Sequence, residues 1–310
     1  AALTVPFETI DALPGQFDTA VYFHIHEPFL VRYVAEKITA KKKIAWIHND
    51  FDTTGYHVER IFQYLDRYDH IFAVSGQLLD EFLGLAPQYR HKCTVAHNIV
   101  CAAAIRNMLS VEKVAEYPQD GTIKLLTVGR LEAQKGYDLA IRTCAALKEK
   151  GHRFKWFVLG SGSEEHELRR LISDYRLEEN FILLGTRLNP YPYFEQCDIY
   201  VQPSRHEGRS VAVDEARALY KPIVCTNVSG VQEQLMHQKT GSIVRFDLKE
   251  LAGAISELIE NPQLRQFYSD NLKKAPVGNR VEIDELMRIL GAESRTGTVA
   301  VKKGVNDWAH

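Results

Sequence analysis

Short apolar stretches alternate with helical stretches along most of the chain, and this alternation limits the folds that the sequence can adopt. In the second half, six apolar stretches fit buried strands: residues 124–128, 155–159, 181–184, 199–202, 222–225 and 242–245. Segments with helical periodicity separate them, so each strand returns to the same edge of a sheet, as in parallel β-α-β units. Six strands with intervening helices predict a complete doubly wound domain.

The first half shows the same alternation with fewer strands. Four strands are predicted, at residues 19–25, 43–48, 70–74 and 92–96. The periodicity weakens between residues 98 and 121, where a domain boundary is expected. The sequence therefore predicts an α/β protein with two Rossmann-like domains, the N-terminal one incomplete: residues 1–108 as the partial first domain, 109–275 as the second, and 276–310 as a closing helix and a loose tail.

Length and composition exclude several classes of protein. The 310 residues fit about two domains, and a net charge of -2 gives no general attraction to nucleic acid. The five cysteines are scattered without a Cys-x-x-Cys pair, which favours a reducing cytosol over a disulfide framework. No apolar run reaches the roughly 20 residues of a membrane-spanning helix. The chain lacks an initiator Met and opens in mid-pattern, which predicts that an N-terminal part is missing.

Two carboxylates mark a predicted junction between a loop and a helix within residues 203–218. Glu207 and Glu215 stand eight positions apart, about 12 Å along a helix. Gly208 permits close approach of a ligand to the backbone, and the Ser210 hydroxyl can cap the first helical turn. The free N–H groups of that turn suit a diphosphate, and Glu215 could accept both hydroxyls of a ribose. The alternative is an ordinary amphipathic helix with two solvated glutamates.

A second loop carries two cations after the first strand of the second domain. Arg130 and Lys135 lie in the segment Gly129-Arg-Leu-Glu-Ala-Gln-Lys-Gly136. Ligands of open α/β sheets bind outside the carboxyl ends of strands, where these two charges would neutralise a diphosphate. Alone, such a loop is usually a solvated turn. Its position beside the Glu207 loop strengthens the prediction of an anion site.

These motifs together resemble the donor domain of retaining glycosyltransferases of the two-Rossmann (GT-B) type, the group-1 or family-4 class. The resemblance extends over roughly residues 20 to 290 and rests on Gly129-Arg130…Lys135-Gly136, Pro203-Ser204…Glu207-Gly208…Glu215-Ala216, Lys221-Pro222, Gly230…Glu233 and Thr240-Gly241. It implies a first domain on the acceptor side and a second domain that binds a nucleotide sugar.

The resemblance also implies roles for individual residues. In that family the residues matching Arg130 and Lys135 bind the diphosphate, and the residue matching Glu215 holds the ribose. The residue matching Glu207 contacts the transferred sugar, so Glu207 is a candidate catalytic residue. The backbone after the Glu-Gly pair contacts sugar or phosphate, which adds Gly208, Arg209, Ser210 and Val211 to the donor-binding set.

His48 resembles the active-site histidine of the same family. It ends the second predicted strand, in Trp46-Ile-His48-Asn-Asp. A neutral imidazole at that strand end could hydrogen-bond the donor sugar or orient a hydroxyl. His48 is therefore the second candidate catalytic residue, although a lone histidine of this kind is more often a satisfied core residue.

The function implied is transfer of a sugar from a nucleotide donor, UDP- or GDP-linked, with retention of anomeric configuration and without a required metal or other cofactor. The expected acceptor is a glycan or a lipid-linked glycan of bacterial surface polysaccharide or glycolipid synthesis. The expected location is the cytoplasm, with possible peripheral contact at the inner face of the membrane, and no nucleic-acid partner. Two alternatives remain: a nucleotide-sugar epimerase on the same scaffold, and a non-catalytic module that binds nucleotide sugars.

The sequence departs from the family in two places. The family often has an aromatic residue where this chain has Arg209, so the polarity beside the donor sugar is expected to differ. The family's first strand and its glycine-rich loop are absent, which puts activity of this chain in question.

Two other patterns are weak candidates for a metal site. His24-Ile-His26-Glu27 offers no third ligand, and Asp50-Phe-Asp52 lies in the wrong domain for the donor. The basic run Lys41-Lys42-Lys43 is either a solvated face or a contact for anionic lipid.

Overall fold

The structure is a computed structural model. It describes residues 6–23, 25, 27–49, 59–109, 113–275, 277–278 and 280–291. Within these residues the chain forms two parallel sheets with helices packed on them.

The first sheet has four strands: β1 (Phe17–Tyr22), β2 (Ala40–Ile47), β3 (His70–Ala73) and β4 (Cys93–Val95). They lie side by side in chain order, and every neighbouring pair is parallel. The helices between them are α1 (Pro28–Lys37), α2 (Glu59–Leu65) and α3 (Gly76–Leu85). Pro28 occupies the first turn of α1, where its missing N–H would have no partner anyway. The Ser75 hydroxyl caps α3 by accepting a hydrogen bond from the Leu78 amide, as its position before the helix predicts.

The second sheet has six strands: β5 (Ile123–Val128), β6 (Phe154–Leu159), β7 (Phe181–Leu183), β8 (Ile199–Gln202), β9 (Ile223–Thr226) and β10 (Ser242–Val244). Its helices are α4 (Ala102–Asn107), α5 (Tyr137–Glu149), α6 (Glu165–Asp174), α7 (Tyr191–Gln196), α8 (Val211–Ala218), α9 (Val231–Gln234), α10 (Leu248–Glu260) and α11 (Pro262–Lys274). Short 3-10 helices lie at Phe7–Thr9, Pro87–Lys92 and Ala133–Lys135.

The strand order of the second sheet places its ligand-binding edge. The order is β10-β9-β8-β5-β6-β7, with all pairs parallel. The chain therefore runs from β5 outward through β6 to β7, returns to β8 on the other side of β5, and continues outward through β9 to β10. In such doubly wound sheets the ligand crevice opens at this switch point, outside the carboxyl ends of the two central strands. Here those strands are β5 and β8.

Alternating side chains of the second sheet pack into cores on both of its faces. Leu125 and Trp156 belong to the core beneath α5 and α10, whereas their neighbours Leu126 and Phe157 belong to the core beneath α8. Successive side chains of a strand point to opposite faces of the sheet, so this alternation between two cores shows that both faces are buried. The predicted α/β class with two Rossmann-like sheets is thus confirmed.

The last described helix, α12 (Arg280–Leu290), returns to the first sheet. Its residues Leu286, Ile289 and Leu290 pack against the first core. By contrast, Val100 and Ile105, from the segment around α4, belong to the core of the second sheet. The chain thus passes between the two domains twice, once after β4 and once after α11.

Candidate active site

One cavity of about 520 Å³ lies between the two domains and is lined from both sides. Every residue predicted for the site lines it: His48, Arg130, Lys135, Glu207, Gly208, Arg209, Ser210, Val211 and Glu215. Besides Gly129 of the loop that carries Arg130 and Lys135, four residues that were not predicted for the site line it too: Asn49, Asn98, Val128 and Ala212. The volume falls within the range of small-molecule sites.

The two loops at the switch point are held together by their backbones. Gly136 adopts a left-handed conformation, with φ of 67°, between the Ala133–Lys135 turn and α5. A Cβ at this position would lie 2.0 Å from the carbonyl oxygen of Pro203, so only glycine fits. The loop after β5 and the loop after β8 are consequently in direct contact, which brings Lys135 beside Glu207.

The carboxylate of Glu207 receives three hydrogen bonds on a single oxygen. Its Oε1 accepts from Lys135 Nζ at 2.6 Å, Ser204 Oγ at 2.8 Å and Gln202 Nε2 at 3.2 Å. Among the described residues none donates to Oε2. Charge-assisted hydrogen bonds of this kind fix a carboxylate in one orientation and leave the second oxygen for a ligand.

A line of buried polar side chains supports Glu207 from β8 and from the loop that directly follows it. Tyr200, Gln202 and Ser204 follow one another at every second position and therefore share one face of the strand. The Tyr200 hydroxyl donates to Gln202 Oε1, and Gln202 Nε2 donates to Ser204 Oγ at 2.7 Å. All three residues are buried, and buried polar groups are retained at low cost only when they are hydrogen-bonded. Polar residues at alternate positions in an otherwise apolar strand are the sequence signal that could have revealed them.

Arg130 lies at the open side of the cavity. Its side chain is 70% exposed and its Nη1 donates to Glu132 Oε1 at 2.7 Å. An exposed ion pair of this kind contributes little to stability. The guanidinium can therefore turn from Glu132 to an anion in the cavity at small energetic cost.

Helix α8 begins at the cavity wall. Ser210 is its N-cap, and its hydroxyl accepts a hydrogen bond from the Val213 amide at 3.4 Å. The first-turn amides and the positive end of the helix dipole consequently lie at the cavity. The side chain of Arg209 points the other way, because its Nε donates to buried Asp214 at 3.0 Å. Arg209 thus presents its backbone to the cavity while its guanidinium is held by a carboxylate of α8.

Glu215 lies on α8 at the far end of the cavity. Its Oε1 accepts a hydrogen bond from the Tyr191 hydroxyl at 3.0 Å. Burial raises the pKa of the Glu215 carboxyl, the Tyr191 hydrogen bond opposes that rise, and the charge of Asp214 adds to it. Tyr191 comes from α7, a contact that the spacing of the glutamates does not reveal.

His48 forms the wall contributed by the first domain. It follows β2, and its ring stacks on Phe23 with ring centroids 5.5 Å apart. Its carbonyl oxygen is in contact with the backbone of Gly208. Asn98, which follows β4, donates to the carbonyl oxygen of Arg209 at 3.2 Å. His48 and Asn98, which follow the carboxyl ends of β2 and β4, thus contact the segment in which α8 begins.

The weak metal candidates remain without structural support. Within the described part of the chain, no group of three or more His, Cys, Asp or Glu side chains is placed to hold a metal ion. His24, His26, Asp50 and Asp52 lie outside the described residues.

In the basic run Lys41-Lys42-Lys43, Lys41 pairs with Asp18, whereas Lys42 and Lys43 donate to backbone carbonyls. None of the described helices combines the length and the apolar character that crossing a bilayer requires.

Comparison with known proteins places these motifs in one family. The model of the family described as "Glycosyl transferases group 1" matches residues 112–275. A curated relative from Campylobacter jejuni, "N-acetylgalactosamine-N,N'-diacetylbacillosaminyl-diphospho-undecaprenol 4-alpha-N-acetylgalactosaminyltransferase", is 34% identical over 54% of this chain and 46% of its own length. An "Uncharacterized glycosyltransferase" from Haemophilus influenzae is 29% identical over 74% of this chain and 63% of its own length. The chain therefore spans less than two thirds of either relative.

A solved structure shows the same fold. The crystal structure of Anabaena Alr3699/HepE in complex with UDP and glucose superposes with a TM-score of 0.71. The two sequences are 16% identical, and the match extends over 89% of this chain and 78% of the other. At this level of identity the likeness concerns the fold alone.

Proposed function

The chain belongs to the glycosyl transferases group 1 family, and from that premise we propose that it transfers a sugar from a nucleotide diphosphate donor to a glycan or lipid-linked glycan. One observation carries the proposal. All the residues predicted for the donor site, together with His48, line a single cavity outside the carboxyl ends of β5 and β8. Such a cavity combines two cations, a helix N-terminus and two carboxylates, which are complementary to the diphosphate and the hydroxyls of a nucleotide sugar.

The proposed donor lies along α8. Its diphosphate contacts the first-turn amides after Gly208, with Lys135 and Arg130 as counter-charges. Its ribose hydroxyls donate to Glu215, and the hydroxyls of the transferred sugar donate to Glu207 Oε2. UDP- or GDP-linked sugars fit this arrangement, and UDP is the nucleotide bound in the HepE structure.

The proposed reaction retains the anomeric configuration. The bond between the anomeric carbon and the phosphate oxygen breaks, and its electron pair leaves with the diphosphate. Lys135, Arg130 and the α8 amides stabilise that charge as it develops. The acceptor hydroxyl then forms the new bond from the same face and gives its proton to the departing phosphate oxygen. In this proposal, Glu207 and the carbonyl of His48 offset positive charge on the sugar.

The acceptor is proposed from the relatives. The Campylobacter protein is named for a diphospho-undecaprenol acceptor, and a Staphylococcus aureus relative for capsular polysaccharide biosynthesis. For this chain we propose a glycan or lipid-linked acceptor of a bacterial surface polysaccharide or glycolipid, used in the cytoplasm or at the inner face of the membrane.

Calorimetric titration with UDP, GDP and ADP, without added metal, tests the donor site. We expect one nucleotide to bind, and binding to be lost in a variant with Arg130→Ala and Lys135→Ala. Absence of binding by all three nucleotides would contradict the proposal. Glu250→Gln is a suitable control, because Glu250 pairs with Arg245 on the surface of the second domain outside the cavity.

Incubation of the matching nucleotide sugar then separates the candidate activities. A transferase modifies an added acceptor, whereas an epimerase changes the donor with no acceptor present. Binding without either reaction would indicate the non-catalytic module.

A further inference from the structure

Glu233 of the second domain contacts the first domain through both of its carboxylate oxygens. It lies in α9, at the end of the Gly230…Glu233 motif. Its Oε1 accepts a hydrogen bond from the Gln77 amide at 3.2 Å, and its Oε2 lies 3.1 Å from His97 Nε2. Gln77 and His97 both belong to the first-domain side of the cleft.

The contact with Gln77 places a carboxylate at a helix N-terminus. Gln77 is in the first turn of α3, where amide groups lack partners within the helix. The position before it is Gly76, where a Cβ would lie 3.3 Å from Glu233 Oε1. The N-terminal end of a helix dipole attracts negative charge. Ser75 caps one amide of this turn from within the first domain, and Glu233 accepts from another across the interface.

His97 lies between two carboxylates from different parts of the chain. Its Nδ1 is 2.7 Å from Glu282 Oε1, and its Nε2 is 3.1 Å from Glu233 Oε2. Glu282 belongs to α12, which packs on the first core. His97 thus joins the returning helix to the second domain.

The same carboxylate of Glu233 also lies near the guanidinium of Arg209, a residue that borders the cavity. Arg209 Nη1 lies 3.7 Å from Glu233 Oε2, and the Arg209 side chain is only 6% exposed. Arg209 and Arg217 both pair with Asp214, so a buried and a partly buried cation share one buried anion there. Uncompensated buried charge is costly, and Glu233 supplies the second negative charge. Polar contacts therefore run from Glu282 of α12 through His97 and Glu233 to Arg209 at the start of α8.

We propose that Glu233 is a positioning residue that clasps the two domains and, through Arg209, holds the start of α8 against the first domain. The proposal rests on the proposed function for its ligand: the clasped form is the one that binds the nucleotide. Glu233 itself does not line the cavity and touches no reacting atom.

Glu233→Gln tests the clasp, since glutamine keeps the size and an acceptor oxygen but removes the charge. We expect a larger radius of gyration by small-angle X-ray scattering and faster hydrogen exchange of the Gln77 amide. We also expect about tenfold weaker binding of UDP, between the effects typical of exposed and of fully buried ion pairs. The control Glu250→Gln should change none of these. A Glu233→Gln protein with the wild-type radius, exchange and affinity would overturn the proposal.

His97→Asn provides a second variant on the opposite side of the interface, in case Glu233→Gln fails to fold. It should open the domains and weaken UDP binding in the same direction, and the double variant should be little worse than either single one. Fully additive effects, or an opened protein that binds UDP with wild-type affinity, would overturn the positioning role. If wild-type protein binds none of UDP, GDP and ADP, the proposed function fails, while scattering and exchange still decide the clasp.

Discussion

The Cα of Gly208 lies so close to the carbonyl oxygen of His48 that an added Cβ would be 1.8 Å from that oxygen. The glycine belongs to the loop before α8, and the histidine follows β2 of the first domain. This is a backbone-to-backbone contact across the cleft, where no flexible side chain can yield. The two backbones can meet at this point of the cavity wall because Gly208 has no side chain.

Gly208→Ala should therefore prevent this closure while leaving each domain folded. We expect loss of nucleotide-sugar turnover by at least tenfold, with a thermal midpoint close to that of the wild type. Gly253→Ala is the matched control, because a Cβ on that helical glycine meets nothing within 4 Å. The control should be neutral or stabilising by up to about 1 kcal/mol. Equal turnover in both variants would show that the cleft does not close on Gly208.

Glu207→Gln should separate binding from turnover. Glu207 holds the Lys135 ammonium at 2.6 Å, and a diphosphate in the cavity competes for that ammonium. Without the carboxylate charge, Lys135 is free for phosphate, so we expect unchanged or tighter binding of the nucleotide in calorimetry. Transfer should fall sharply, because the variant lacks the negative charge that we propose contacts the sugar. Lys135→Ala should instead weaken nucleotide binding, and weaker binding in Glu207→Gln would contradict this account.

The raised pKa of Glu215 predicts a stability effect that depends on pH. Because burial raises this pKa, the folded protein binds the proton at a higher pH than the unfolded chain does. The carboxylate charge therefore destabilises the fold above the raised pKa, and this effect fades as pH falls through that value.

Glu215→Gln keeps an acceptor for the Tyr191 hydroxyl and removes the charge. We expect its urea midpoint to exceed that of the wild type at pH 7. The difference should disappear below the ordinary carboxyl value of 4.5. A difference that is constant over the whole pH range would assign the effect to packing instead.

Gly136 and Gly151 form a natural pair for measuring the contact between the two switch-point loops. Both have positive φ, 67° and 79°, so alanine is strained at either position. Only at Gly136 would the Cβ also strike backbone, the Pro203 carbonyl oxygen. We expect Gly151→Ala to lower the free energy of unfolding by about 1 kcal/mol. Gly136→Ala should lower it by roughly 3 kcal/mol or more. Equal losses in chemical denaturation would mean that the loops separate without penalty.

Local sequence patterns were sufficient for the elements that build the donor site. The cap at Ser210, the alternation of strands and the cations after β5 each depend on neighbours within a few positions. The rule that ligands bind at carboxyl strand ends then brings the loops together. Together with the family resemblance, these patterns predicted most of the residues that line the cavity, although Asn49, Asn98, Val128 and Ala212 were missed.

The contacts that support the site could not be predicted in this way. Tyr191 reaches Glu215 from another helix, and Glu233 meets Gln77 and His97 across the domain interface. Such pairs depend on how separate elements dock, which periodicity does not encode. Arg209 illustrates the limit: its charge is visible in the sequence, whereas its attachment to Asp214 depends on the side-chain direction at the start of α8.

The return of α12 to the first core has a consequence for motion. Because the chain passes between the domains after β4 and again after α11, the two halves are connected by two covalent tethers. A single tether allows a domain to swivel in every direction, whereas two tethers define a line about which it can only tilt. We therefore expect the cleft to open mainly by rotation about that line, a motion that would return Gly208 to the same point on His48 each time.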